Sequence, residues 1–188
     1  MRLFVALDIP DAVRDALSAL CKQLRKLPSN ARWVRIEGAH ITLKFIGEVP
    51  PEQAERIRSA LQHVRAAGRI ELRFAGLGFF PNARRPRVLW TSVTAGDALQ
   101  ELAASIETQL APLGIDGEAR EFNPHITLAR FDSPRDLDAL RAAVEGLGAP
   151  AFGHDSAREF HLYQSVLKQG GAEYTRWASY QISREPAS

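Results

Sequence analysis

His40-Ile41-Thr42-Leu43 returns, residue for residue, as His125-Ile126-Thr127-Leu128. Side chains of an extended strand alternate between its two faces. Strict alternation turns His40, Thr42 and Lys44 one way and Ile41, Leu43 and Phe45 the other. In the second copy it sets His125 and Thr127 against Ile126 and Leu128. Each copy therefore offers an imidazole and a hydroxyl side by side, backed by apolar residues that anchor them to a core. The copies stand roughly half a chain apart in similar surroundings, which points to a duplicated unit.

The segments around the two motifs repeat as well. Leu3 to Ile9 reads as a buried strand. Behind Pro10, a residue suited to a helix start, Val13, Leu17, Leu20, Leu24 and Leu27 form one apolar helix stripe that ends at Pro28-Ser29-Asn30. Arg32 to Ile36 reads as a short strand, Glu37 to Ala39 as a turn and His40 to Ile46 as the first motif strand. A helix from Pro51 to about Ala67 turns Ala54, Ile57, Leu61 and Val64 inward. Arg69 to Phe80 and Arg87 to Thr94 are strands, joined by the basic loop Pro81-Asn82-Ala83-Arg84-Arg85-Pro86. The order then restarts. Asp97 to Leu113 is a helix with Leu99, Leu102, Ile106 and Leu110 on its stripe. His125 to Phe131 is the second motif strand. Ser133-Pro134 reads as the N-cap and first-turn proline of a fourth helix that reaches Leu147. Two strands close the chain, near Arg158 to Leu167 and Glu173 to Ile182, joined around Gly170-Gly171.

Each half thus reads as helix, motif strand, helix and a pair of strands, which is a duplicated α+β pattern. Helices with one apolar stripe must cover one face of a sheet. Pairing the halves about a pseudo-two-fold brings the motif strands together, and the opposite sheet faces then line a cleft carrying His40 and His125. Residues 1–188 are expected to form a single domain of two intertwined lobes, since no low-complexity linker divides them.

Composition narrows the class. Hydrophobic residues at 45% and charged residues at 24% are globular values and exclude a disordered chain. A net charge of +2 is too small to establish nucleic-acid binding alone. The single cysteine, Cys21, lies on a helix stripe and reads as core; with one cysteine there is no intrachain disulfide and no cysteine-rich zinc site. No apolar run has the length of a membrane span, and Asp8 interrupts the first apolar segment too early for a signal core, so a cytoplasmic location is expected. The serine-hydrolase elbow G-x-S-x-G and the phosphate loop G-x-x-x-x-G-K-[ST] are absent.

Two histidines across a cleft suit general acid–base catalysis, because imidazole titrates near neutrality and one ring can accept a proton while the other donates. The threonines on the same faces can donate hydrogen bonds to a phosphate held between the rings. His63, His154 and His161 form no metal-ligand pattern with them. Arg130 follows the second motif where the first has Phe45. Alternation puts it on the apolar face, away from His125, unless the strand ends or bends there.

The paired H-x-T-L motifs, with Arg2-Leu3-Phe4-Val5-Ala6-Leu7, Arg32-Trp33-Val34, Lys44-Phe45-Ile46-Gly47, Phe80-Pro81, Arg87-Val88-Leu89-Trp90, Ala129-Arg130, Leu162-Tyr163-Gln164-Ser165 and Tyr174, resemble the two-histidine (2H) phosphoesterase superfamily. Within it the chain is similar to the RNA 2′,3′-cyclic phosphodiesterases, also called 2′-5′ RNA ligases. The resemblance covers nearly the whole chain. It implies a bilobal α+β fold, with antiparallel sheets lining a central cleft and helices outside. It implies His40 and His125 as catalytic residues, and Thr42, Thr127 and Arg130 as phosphate ligands. Hydrolysis of a terminal RNA 2′,3′-cyclic phosphate to a 2′-phosphate follows, with no cofactor and no metal. ATP-independent, reversible 2′-5′ joining of tRNA halves belongs to the same implied chemistry. The expected partner is RNA with a cyclic phosphate end, tRNA fragments included, and the expected state is a monomer. The family suggests His125 as base and His40 as acid, while the residues alone allow the reverse. Two other readings stay open: opening of a different cyclic phosphate, such as a cyclic nucleotide or ADP-ribose cyclic phosphate, and an RNA-end-binding module without turnover.

Overall fold

The computed structural model describes residues 1–66, 68–117, 121–168 and 171–182. Among them the elements run β1 (Arg2–Asp8), α1 (Asp11–Leu24), β2 (Ala31–Trp33), β3 (His40–Glu48), α2 (Pro51–Ala60), β4 (Ile70–Phe80), β5 (Val88–Thr94), α3 (Gly96–Leu110), β6 (His125–Phe131), α4 (Asp138–Gly146), β7 (Ala151–Ala157), β8 (Glu159–Lys168) and β9 (Gly171–Gln181). The helices form on the predicted stripes: α1 buries Val13, Leu17, Leu20, Cys21 and Leu24, and α3 buries Leu99, Leu102, Ala103, Ile106 and Leu110. Burial pushes the Cys21 thiol up to about 11, which keeps it protonated and unreactive. No described helix is long and apolar enough to cross a membrane.

The strand expected from Arg32 to Ile36 ends at Trp33, and Ile36–Gly38 forms a 3₁₀ turn. Three further differences have a clear physical cause. First, α2 stops at Ala60 and tightens into a 3₁₀ turn at Leu61–His63; the expected end at Ala67 lies outside the described residues, as does Gly170 of the last turn. Second, Ser133-Pro134 does not start α4. The Ser133 hydroxyl accepts the Arg135 N–H at 3.1 Å, and Asp136 adopts φ 57°, a left-handed conformation that no helix continues through. The helix begins only at Asp138. Third, β7 has no counterpart in the sequence reading. Only Ala157 of its residues is buried, Gly153 has φ 134°, and no apolar alternation marks it. It exists because β4 offers it a pairing edge, from Ile70 opposite Ala157 to Ala75 opposite Ala151.

The strands form two antiparallel sheets, ordered β3-β1-β8-β9 and β2-β6-β5-β4-β7. Without β2, the two orders correspond strand for strand. In each, the motif strand pairs with the strand before it, reached across a helix: β3 with β1 through α1, and β6 with β5 through α3. The third strand in each sheet comes from the other half of the chain, β8 in one and β4 in the other. This exchange is the duplicated α+β architecture with pseudo-two-fold symmetry, and β3 and β6 approach each other within it.

Both motif strands carry the same irregularity. Ala6 stands opposite Thr42 and Val5 opposite Lys44, so Leu43 is one residue too many on β3. Trp90 stands opposite Thr127 and Leu89 opposite Ala129, so Leu128 is one too many on β6. Each is a β-bulge, which buries two consecutive residues and reverses the alternation beyond it. Lys44 and Phe45 are accordingly on the faces opposite to those expected. Lys44 is only 1% exposed, and Phe45 is 62% exposed. The buried Lys44 ammonium is satisfied by Glu107 Oε1 at 2.7 Å and the Asp116 carbonyl at 2.5 Å, which ties β3 to α3.

Because β4 and β8 are each held in the sheet of the opposite half, we propose that residues 1–188 unfold as one unit. Denaturation followed by tryptophan fluorescence and by far-ultraviolet circular dichroism is expected to give one coincident transition. Two separated transitions would contradict a single domain.

Candidate active site

The two histidines begin their strands and are held alike. His40 Nδ1 lies 2.8 Å from the Gly38 carbonyl, and His125 Nδ1 lies 2.8 Å from the Asn123 carbonyl. A carbonyl oxygen only accepts, so Nδ1–H is the donor at each ring. In the neutral imidazole the proton is then absent from Nε2, which is left as an acceptor. Thr42 and Thr127 follow on the same faces, each half-buried. Neither hydroxyl has a hydrogen-bond partner among the described residues. The bulge at Leu128 settles the position of Arg130. It stands opposite Val88 and shares a face with the pairs Thr127–Trp90 and His125–Ser92, exposed and on the histidine side of the sheet. The strand bends there, and alternation does not turn Arg130 away.

The surroundings of the two rings differ. Phe4 stacks on His40 with centroids 4.6 Å apart, Tyr163 lies 5.3 Å from Phe4 and 6.2 Å from His40, and Tyr174 presents its edge to His40 at 5.1 Å. Gly38 lets this happen: a Cβ there would lie 3.2 Å from the Tyr174 ring. Burial among these rings lowers the His40 pKa from its ordinary value, while the Gly38 hydrogen bond and the Asp8 carboxylate oppose the shift. His125 is exposed, with the Trp90 ring 6.3 Å away. Trp90 in turn lies against Gly78, where a Cβ would come within 2.5 Å of the indole.

A polar cluster absent from the sequence reading supports these rings. Asp8 stands opposite His40 in the sheet. Its carboxylate accepts hydrogen bonds from the Tyr163 hydroxyl and from Arg176. The buried His161 has Nε2 3.7 Å from Asp8 and Nδ1 2.9 Å from the Ser179 hydroxyl. Burial, then the hydrogen bond to Asp8, push the Tyr163 phenol above its ordinary value, so it stays a donor. These residues lie far apart in the chain. The one local sign was an acidic residue closing the apolar run Leu3 to Leu7. A depression of about 400 Å³ lies beside the exposed Phe45, lined by Glu48, Gln53 and Asp116 among others, and not at either histidine. Among the described residues, no group of three or more His, Cys, Asp or Glu is placed to hold a metal ion.

Comparison with known proteins places this geometry. The profile of the LigT-like phosphoesterases matches residues 7–90 and 92–174, one stretch around each motif. An RNA 2′,3′-cyclic phosphodiesterase of Archaeoglobus fulgidus is 35% identical over 176 residues, 93% of this chain and 96% of its own length. One from Aeropyrum pernix is 40% identical over 143 residues, 75% of this chain and 80% of its own. The crystal structure of TT0787 of Thermus thermophilus superposes with a TM-score of 0.80 at 30% identity, covering 99% of this chain and 100% of that one. Escherichia coli LigT complexed with 3′-AMP superposes with a TM-score of 0.76 at 26% identity, covering 96% and 97%.

Nitrogen-15 spectra of the imidazoles are expected to show the Nδ1–H tautomer at both rings in mildly alkaline solution. The His40 midpoint should fall below 6.5. A proton on Nε2 of either neutral ring, or a His40 midpoint above that value, would contradict the site described.

Proposed function

The chain belongs to the LigT-like phosphoesterase family, and on that premise we propose that it hydrolyses terminal 2′,3′-cyclic phosphates of RNA to 2′-phosphate ends. His40 and His125 act as acid and base, and the enzyme works as a monomer in the cytoplasm. The observation that carries this reading is the matched presentation of two imidazoles. Each has Nδ1 tied to a backbone carbonyl, each has no hydrogen-bond partner at Nε2 or at the neighbouring threonine hydroxyl among the described residues, and the two sit on strands that approach each other. The name shared by relatives 30% and more identical supports RNA as substrate.

In the proposed reaction the cyclic phosphate sits between the rings, with Thr42 and Thr127 donating to its non-bridging oxygens and Arg130 facing the same oxygens. His125 Nε2 takes a proton from water as the water oxygen bonds to phosphorus. His40, protonated, gives its proton to the 3′ oxygen as the P–O3′ bond breaks. The burial that lowers the His40 pKa makes its imidazolium the stronger acid, and the phosphodiester anion favours the charged form once it binds. The open setting of His125 suits the water side. With the 5′-hydroxyl of a second RNA in place of water, the same two proton transfers join the strands through a 2′-5′ phosphodiester. The cyclic ester itself drives that joining, and no ATP is consumed.

On a short RNA with a terminal 2′,3′-cyclic phosphate, His40→Ala and His125→Ala are each expected to lower kcat/KM by roughly 10²–10⁴-fold. Arg130→Lys should weaken turnover as well, because an ammonium does not reproduce a two-pronged guanidinium contact. Nearly intact hydrolysis after either histidine change would overturn the acid–base scheme. An unchanged KM and kcat in Arg130→Lys would remove Arg130 from the phosphate site.

A further inference from the structure

The second sheet has one strand with no counterpart in the first. β2 is three residues long and, among the described residues, pairs only with β6. Of its side chains, only Arg32 shares the histidine face, because Arg32 stands directly opposite Arg130 while Ala31 and Trp33 alternate to the other side. Trp33 lies under the Arg25 guanidinium, 5.7 Å from its ring. β2 thus adds one arginine to the concave face, beside the arginine that follows the motif. Like charges directly opposite across a sheet repel. Such a pair is favourable only with an anion between or alongside.

What the chain itself supplies is slight. Asp132 pairs with Arg32 at 2.7 Å, but both side chains are about two-thirds exposed, and exposed pairs hold weakly. No carboxylate pairs with Arg130 among the described residues. The same end of the sheet carries more positive charge. Phe80 and Val88 pair where β4 passes into β5, and Val88 is the neighbour of Arg130 on the other side. The loop between Phe80 and Val88 therefore sits next to Arg130, with Arg84, Arg85 and Arg87 all exposed. The Asn82 side chain accepts the N–H groups of Arg84 and Arg85 at 3.0 Å each, which fixes the turn. Arg87 donates to the Asp132 carbonyl at 3.1 Å, joining loop and strand end.

We propose that Arg32, Arg84 and Arg85 form a phosphate track that continues from Arg130 and binds the backbone of a single RNA strand on the 5′ side of its cyclic phosphate end. This rests on the function proposed above and narrows its substrate from any RNA cyclic phosphate end, a mononucleoside included, to ends carried on chains of several nucleotides. Arg32 lies one strand spacing, about 5 Å, from Arg130, so it is in reach of the phosphate next to the reacting one. Guanidinium groups suit the role because their planar fork fits phosphate oxygens. The remaining aromatic and polar residues of the first sheet are left for the nucleoside at the reacting end.

The test compares one substrate pair, a mononucleoside 2′,3′-cyclic phosphate and an RNA hexanucleotide with the same cyclic end, in wild type, Arg32→Gln and Arg84→Ala/Arg85→Ala. Wild type should prefer the hexanucleotide. Each variant should lower the ratio of kcat/KM on the hexanucleotide to that on the mononucleoside by roughly tenfold, with thermal stability retained. The slope of log KM against log salt for the hexanucleotide should fall by roughly 0.7 for each arginine removed. A ratio unchanged in both variants, or equal losses on both substrates, would overturn the track while leaving the proposed hydrolysis standing. Turnover of neither substrate by wild type would overturn both.

Discussion

The site depends on one extra residue in each motif strand. Leu43 and Leu128 have no partner opposite them, and each leaves a bulge that buries two consecutive residues. Before the bulge, His and Thr face the open side and Ile and Leu face the core. After it, Phe45 and Arg130 return to the open side where alternation would have buried them. A bulge also bends a strand and strengthens its twist. One device, used twice, groups an imidazole, a hydroxyl and a third side chain on one concave face.

Duplication provides two such groups, and the rest of the chain makes them unequal. The first ring is enclosed by Phe4, Tyr174 and Tyr163, the last held by Asp8 and Arg176. Each aromatic contact contributes about 0.5–1.5 kcal/mol beyond simple burial. The same enclosure disfavours the charged imidazole. The second ring is open, and its aromatic neighbour Trp90 lies close against Gly78, where there is no room for a Cβ. The third positions differ as well, an apolar ring at Phe45 and a guanidinium at Arg130. A symmetric frame thus holds two histidines in unequal settings.

Much of this was legible in the sequence. The helix stripes, both motif strands and the α+β class follow from apolar spacing, and the repeated tetrapeptide marked the two histidines. The bulges were also written there in part. Ile126 and Leu128 keep one phase, and Ala129 and Phe131 keep the other, a slip of one residue that puts Arg130 outside. In β3 the slip was hidden, because the residue that enters the core is Lys44. Its burial depends on Glu107 and the Asp116 carbonyl, both distant in the chain. β7 carries no apolar pattern because only Ala157 of this edge strand is buried. The Asp8–Tyr163–Arg176–His161 cluster was equally silent, since its members meet only through the pairing of β1, β8 and β9.

The most direct test of the central claim is the product formed from a short RNA ending in a 2′,3′-cyclic phosphate, incubated in oxygen-18 water with excess EDTA. The account predicts a 2′-phosphate that carries one heavy oxygen on phosphorus, formed at an undiminished rate. A 3′-phosphate would mean that the 2′ oxygen leaves and that the roles assigned to the two sides of the site are reversed. Loss of turnover in EDTA would contradict catalysis by the two histidines alone.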